Sequence, residues 1–89
     1  MNNDRRKQIK ELVSELDSIF GQLTLLSNDL GEIQQEEQDA YDNLPEGLQE
    51  TERGETIQDT ADRLSEIYDT IDSILNDLEC ASSDLYDLT

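Results

Sequence analysis

The sequence predicts an all-α protein: an antiparallel two-helix hairpin of the coiled-coil kind, completing a four-helix bundle as a homodimer. Three observations lead there. Apolar residues recur at alternating spacings of three and four, first through residues 9–44 and again through 57–88. Between these runs the stretch Leu44-Pro45-Glu46-Gly47-Leu48-Gln49-Glu50-Thr51-Glu52-Arg53-Gly54 interrupts the rhythm with one proline and two glycines. Of 89 residues, 34% are hydrophobic and 33% charged, with one Phe, no Trp and no His. That composition suits long helices better than a compact mixed fold. A chain this short is expected to form one domain, residues 1–89.

The first helix is expected over residues 5–43. Ile9, Leu16, Leu23, Leu30 and Leu44 fall on one heptad column, and Leu12, Ile19, Leu26, Ile33 and Ala40 fall three residues later, as a and d positions of a packing seam do. Val13, Phe20 and Tyr41 widen the stripe by a column, and Glu37 interrupts the a column. Gly21 and Gly31 land on outer positions, so the register reads as one long helix with its weakest point at Asn28-Asp29-Gly31.

The hinge is expected at residues 44–51. Pro45 has no backbone N–H and biases Leu44 away from helical dihedrals, which ends the first helix near Asn43. A single helical turn fits over Pro45 to Gln49, capped by Asn43 with Glu46 three residues on, and Thr51 is placed to cap the next helix. That second helix is expected over residues 52–86. Ile57, Leu64, Ile71, Leu78 and Leu85 make one column, Ala61, Tyr68, Leu75 and Ser82 the next, and Ile67, Ile74, Ala81 and Leu88 lie beside them.

Helices of matched length with a short connection pack antiparallel, with Leu23, Leu26, Leu64 and Ile71 expected in the core. The free ends then meet, and Arg5, Arg6, Lys7 and Lys10 are expected to offset Asp77, Glu79, Asp84 and Asp87. Both stripes are three columns wide, more than one neighbour can cover. The expected remedy is a second copy of the chain.

The net charge of −17 favours disorder taken alone, but the apolar periodicity opposes it. Cys80 has no partner for an internal disulfide, which suits a reducing compartment. The N-terminal residues have charge without a following apolar run, and no segment reaches membrane-spanning length, so a soluble, cytoplasmic protein is expected. No catalysis is expected, because nucleophile and base pairings are missing and no phosphate-loop, dinucleotide, zinc-protease or CxxC pattern occurs. No cofactor or dedicated metal site is expected either: Asp39, Asp42 and Glu46 offer oxygen ligands without a calcium-loop pattern. Direct nucleic-acid binding is disfavoured by 23 acids against six bases.

The informative feature is where those acids fall. Twelve lie between Glu11 and Glu52 with no base among them, and seven more follow Arg63 without a base. Asp59, Asp62, Glu66 and Asp69 continue from Glu55 at spacings of three and four, forming a band opposite the apolar seam, with Glu32, Glu36 and Asp39 as the matching band on the first helix. An ordinary solvated face intersperses Lys with Glu; a one-signed face attracts basic grooves, including those built for nucleic-acid phosphates. Two other classes compete with such a basic protein partner. One is a structural or adaptor coiled coil bound through apolar residues, and the other a nucleotide-binding sponge whose phosphate contacts would come from Arg53, Gly54 and the start of the second helix.

The segment Glu36-Glu37-Gln38-Asp39-Ala40-Tyr41-Asp42-Asn43-Leu44-Pro45-Glu46-Gly47-Leu48-Gln49, followed by Thr51-Glu52-Arg53-Gly54 and a helix with Ala61, resembles short acidic helical-hairpin accessory proteins of bacteriophages and mobile elements. The resemblance covers about half the chain. It implies an accessory gene of a class that includes inhibitors of host defence, acting in the cytoplasm of a host bacterial cell. Tyr68-Asp69-Thr70-Ile71-Asp72 also resembles the Tyr-x-x-x-Asp spacing of small secreted WXG-type hairpins, although the Trp-x-Gly turn is absent and Tyr68 is better explained as core.

Overall fold

A computed structural model describes all of residues 1–89 as two long helices folded back on each other into a rod of 69 × 15 × 13 Å. Helix α1 spans Asn3–Asp42, a single turn α2 spans Glu46–Gln49, and α3 spans Glu52–Asp87. The first begins two residues earlier than the sequence suggests because Asn2 caps it, its side-chain oxygen accepting from the Arg5 amide at 2.8 Å. It runs unbroken through Asn28 to Gly31. Gly31 is there for packing: a Cβ at this position would stand 3.2 Å from the Tyr68 ring, which lies over it.

Gly21 is different, with open space around the site of a Cβ. Glycine costs backbone entropy in a helix interior, so Gly21→Ala should stabilise the protein by about 0.5–1 kcal/mol. Thermal melts of the two proteins at equal concentration check this, and an unchanged or lowered midpoint contradicts it.

The hinge differs from expectation in one detail. Asn43 does not cap α2; it closes α1, its amide donating to the Asp39 carbonyl, and Pro45 stands at the start of α2 with no side-chain cap. Gln49 ties α2 back to the end of α1. Its Nε2 donates to the carbonyls of Tyr41 and Leu44 at 3.2 Å each, a second donor for Tyr41, whose carbonyl also accepts from the Leu44 amide at 3.1 Å. Thr51 caps α3: its hydroxyl donates back to the Leu48 carbonyl and accepts from the Gly54 amide at 3.4 Å. Gly54 itself is buried, with the carbonyls of Leu48 and Gln49 where a side chain would begin.

The seam between α1 and α3 is read from what is removed from water. On α3 it is the expected pair of columns, with Ala61 fully covered, Leu75 buried, and Leu64, Tyr68, Ile71 and Leu78 half-buried. On α1 it is not. The structure buries Val13 and Ser27 and half-buries Phe20, Gln34 and Tyr41 beside the Ile9-Leu16-Leu23-Leu30 column. Leu26, expected in the core, is half exposed, as are Leu12, Ile19 and Ile33. Relative to the expected a/d seam, α1 is turned by about 50°, half the 100° between successive residues.

That rotation decides where the surplus apolar surface goes. The exposed column of α1 lies on one flank of its seam, and Ile67, Ile74, Ala81 and Leu88 lie on the corresponding flank of α3. In antiparallel helices these flanks fall on the same side of the hairpin. Asp17 and Ser82 touch across the seam, and Gly31 lies against Tyr68, so residues are level when their numbers add to about 99. Leu12 is therefore near Leu88, Ile19 near Ala81, Leu26 near Ile74, and Ile33 near Ile67. These form a ladder along one face.

Candidate functional site: acidic edges and an apolar face

Three surfaces run along the rod. The first is the outer edge of α3, where Glu55, Asp59, Asp62, Glu66 and Asp69 are all exposed. They stand opposite the seam because each lies two or five heptad places from Ile57 and its repeats. Over the 14 residue steps from Glu55 to Asp69 the spacing is roughly one carboxylate per 5 Å of axis at 1.5 Å per residue. One strand of DNA carries a phosphate about every 3.4 Å, so the band is somewhat sparser than a nucleic-acid strand but has the same sign and regularity.

Its members are not equivalent. Asp59 is paired with Arg63, Oδ2 to Nε at 3.0 Å, though both side chains stay largely exposed, and such surface pairs contribute little. Asp62 accepts from Gln58 Nε2 at 2.8 Å. Glu55, Glu66 and Asp69 have no side-chain partner, which leaves their charge the least compensated. The Thr70 hydroxyl turns back to the Glu66 carbonyl, as Thr does in helices, and adds no cation.

The second surface is the outer edge of α1. Glu32, Glu36 and Asp39 are exposed there, with Asp39 accepting from Gln35 Nε2 at 2.9 Å. This edge faces away from that of α3, so the two bands do not merge into one patch. A flat basic surface meets one band; a groove that clasps the rod meets both.

The cations also differ from expectation. Arg5, Arg6, Lys7 and Lys10 are exposed, and none pairs with Asp77, Glu79, Asp84 or Asp87; the one ion pair within 4.0 Å is Arg63 with Asp59. At the start of α3 Arg53 is exposed, but the Gly54 amide is already directed at Thr51 Oγ1 and buried under the hinge. A phosphate would find one guanidinium there and no free Gly54 amide.

The third surface is the apolar ladder. Leu12, Ile19, Leu26, Ile33, Ile67, Ile74 and Leu88 are between 44% and 56% exposed, far more than the seam residues beside them. The opposite face of the hairpin is polar and holds an open groove of about 430 Å³ lined by Val13, Asp17, Phe20, Leu78, Glu79, Ser82, Ser83 and Tyr86. Inside it Ser82 Oγ donates to Asp17 Oδ1 at 2.7 Å, the one side-chain hydrogen bond between α1 and α3. Cys80 is exposed and unpaired. No helix is long and apolar enough to cross a membrane.

Periodicity reveals the acidic bands from sequence, because carboxylate spacing is a property of one helix. The apolar ladder was missed as a surface, since it depends on how α1 is rotated against α3. No protein-family model, no curated protein and no solved structure matches the chain.

Proposed function

We propose that this protein is an inhibitor carried by a phage or other mobile element, acting in the cytoplasm of a host bacterium on a basic, nucleic-acid-handling defence protein. It binds that partner by electrostatic mimicry of nucleic acid, through Asp59, Asp62, Glu66 and Asp69, and it does so as a homodimer. The observation that carries this reading is the exposed band of five carboxylates on the outer edge of α3, where Arg63 is the only cation, held by a continuous helix. A protein needing only solubility would intersperse cations, which α3 does only at Arg53 and Arg63. Rigid, regularly spaced charge also meets a basic groove without first being ordered, so little conformational entropy opposes binding.

A second reading, an adaptor that docks its partner through apolar residues, is favoured by the exposed ladder. Salt separates the two. Association through the acidic edge weakens steeply as ionic strength rises, whereas apolar docking does not. The test is affinity capture from bacterial lysate at low and high salt, repeated with Asp59→Lys, Asp62→Lys, Glu66→Lys and Asp69→Lys combined. These side chains are exposed, so helix content should stay unchanged by circular dichroism. The expected result is a partner held at low salt, released at high salt, and bound at least about tenfold more weakly by the reversed protein. A partner retained through both treatments contradicts mimicry and leaves the adaptor reading.

A further inference from the structure

Resting on the homodimer just proposed, we infer which face makes it and how the copies are set. The apolar ladder seats a second copy of this chain, the two hairpins lying face to face with their hinges at opposite ends. The two-fold axis then crosses the rod near residues 22 and 23 of α1 and 77 and 78 of α3.

The ladder fits its own copy. On α1 its residues, Leu12, Ile19, Leu26 and Ile33, are centred between 22 and 23; on α3, Ile67, Ile74, Ala81 and Leu88 are centred between 77 and 78. The Asp17–Ser82 and Gly31–Tyr68 contacts place those two midpoints at nearly the same height on the rod. A rotation about that height sets Leu12 against the partner's Ile33, Ile19 against the partner's Leu26, and Ile67 against the partner's Leu88. The whole set is self-complementary, as a two-fold interface requires.

Area favours overlap along the full length. The ladder on α1 covers about 32 Å of axis at 1.5 Å per residue, which with the rod's 15 Å width gives a footprint of roughly 500 Å². That falls short of the ~800 Å² per partner of a stable interface. Pairing along the full 69 × 15 Å face raises it to about 1,000 Å². A staggered pair would lose that margin.

Charge decides the direction. Residues 32–62 carry eleven acids against Arg53 alone, a net −10; the free ends, residues 1–17 and 77–89, carry eight acids against four bases, a net −4. Hinges at the same end would set −10 beside −10. Hinges at opposite ends set each −10 beside a −4 that contains Arg5, Arg6, Lys7 and Lys10, none of which has an acidic partner within its own hairpin. Arg5 stands in the ladder's own column, seven residues before Leu12, and arrives beside the partner's Ala40, within reach of the partner's Glu36 and the partner's Glu37. Against this, Glu15 comes near the partner's Asp29, and Asp77 near the partner's Asp77. The same-ended arrangement would instead bring Glu36 near the partner's Arg63. Each such rim contact is screened by salt and contributes little alone, so the direction rests on the difference in summed charge between the two ends.

Two measurements test the inference. Sedimentation of the full chain at micromolar concentration first establishes whether it dimerises; a strict monomer removes the homodimer and this inference with it. A nitroxide label is then placed at the exposed hinge through Glu50→Cys in a Cys80→Ser background, and the distance between copies is read by pulsed electron paramagnetic resonance. Opposite-ended hairpins put the labels ~60 Å apart, twice the ~20 residues from axis to hinge at 1.5 Å each. A separation under about 30 Å in a confirmed dimer overturns the arrangement while leaving the dimer. Leu26→Asp should weaken association at least about tenfold with helix content preserved, since Leu26 is half exposed in the single hairpin. Unchanged association in that variant places the interface on another face and overturns the inference.

Discussion

Leu75→Ala should lower the unfolding free energy by about 2–5 kcal/mol, the range for removing a buried leucine from a packed interior. Leu75 is one of only three buried hydrophobic residues, with Val13 and Ala61. Within one hairpin there is no second layer to collapse into the space, and Leu75 lies off the apolar ladder. The lost contacts are therefore with α1, and no other element can replace them. Urea titration followed by circular dichroism, at equal protein concentration for both proteins, measures the effect. A loss below about 1 kcal/mol would mean that the helices are not held by this seam.

Gly54→Ala should destabilise the hinge by a smaller amount. A Cβ at Gly54 would run into the Gln49 carbonyl oxygen and lie 2.6 Å from that of Leu48, contacts that no side-chain rotation relieves because both atoms are backbone. To admit the methyl group, α2 must move away from α3. That motion pulls Gln49 from the carbonyls of Tyr41 and Leu44 and Thr51 from its cap. Overpacking of this kind costs about 1–3 kcal/mol, against the ~1 kcal/mol that alanine gains over glycine inside a helix, so the net loss reaches about 2 kcal/mol. The same melts should show a clear loss, opposite in sign to Gly21→Ala. A gain in stability would mean that α2 does not sit against the start of α3 as described.

Much of this fold was legible because it follows from local chemistry. Pro45 and Thr51 marked the hinge through a missing N–H and a capping hydroxyl, and the α3 seam of Ala61, Tyr68, Leu75 and Ser82 stood in one column. Gln49 is not legible as the residue that ties α2 to the end of α1, since nothing local says that a side chain after the turn will reach back to Tyr41. Gly54 carried a signal that was read only as helix-start chemistry: a glycine three residues after the Thr51 cap also allows close backbone approach.

The rotation of α1 was misread for a physical reason. By apolar content Leu12, Ile19, Leu26 and Ile33 outrank Val13, Phe20, Ser27 and Gln34, so the stronger column was assigned to the α1–α3 contact. In the folded hairpin the small Ser27 and Gly31 occupy the close approach instead, Gly31 beneath Tyr68, and the stronger column faces outward with its counterpart on α3. Periodicity along one helix gives the width of a stripe. It does not say which part of that stripe meets which neighbour.

The acidic edge was likewise visible as a pattern on α3, but its relation to Glu32, Glu36 and Asp39 was not, because the two bands face away from each other once the hairpin closes. Consequently a basic partner of the kind proposed would engage one edge, or else surround the rod. The central claim, that this edge stands in for nucleic acid, is tested most directly by competition. With a partner captured at low salt, the measurement is the amount of labelled DNA or RNA that the partner still holds as this protein is added. The account predicts displacement that saturates, weakens as salt rises, and is lost with the fourfold lysine replacement of Asp59, Asp62, Glu66 and Asp69. A ternary complex, in which nucleic acid remains bound at full occupancy while this protein is also bound, would contradict it.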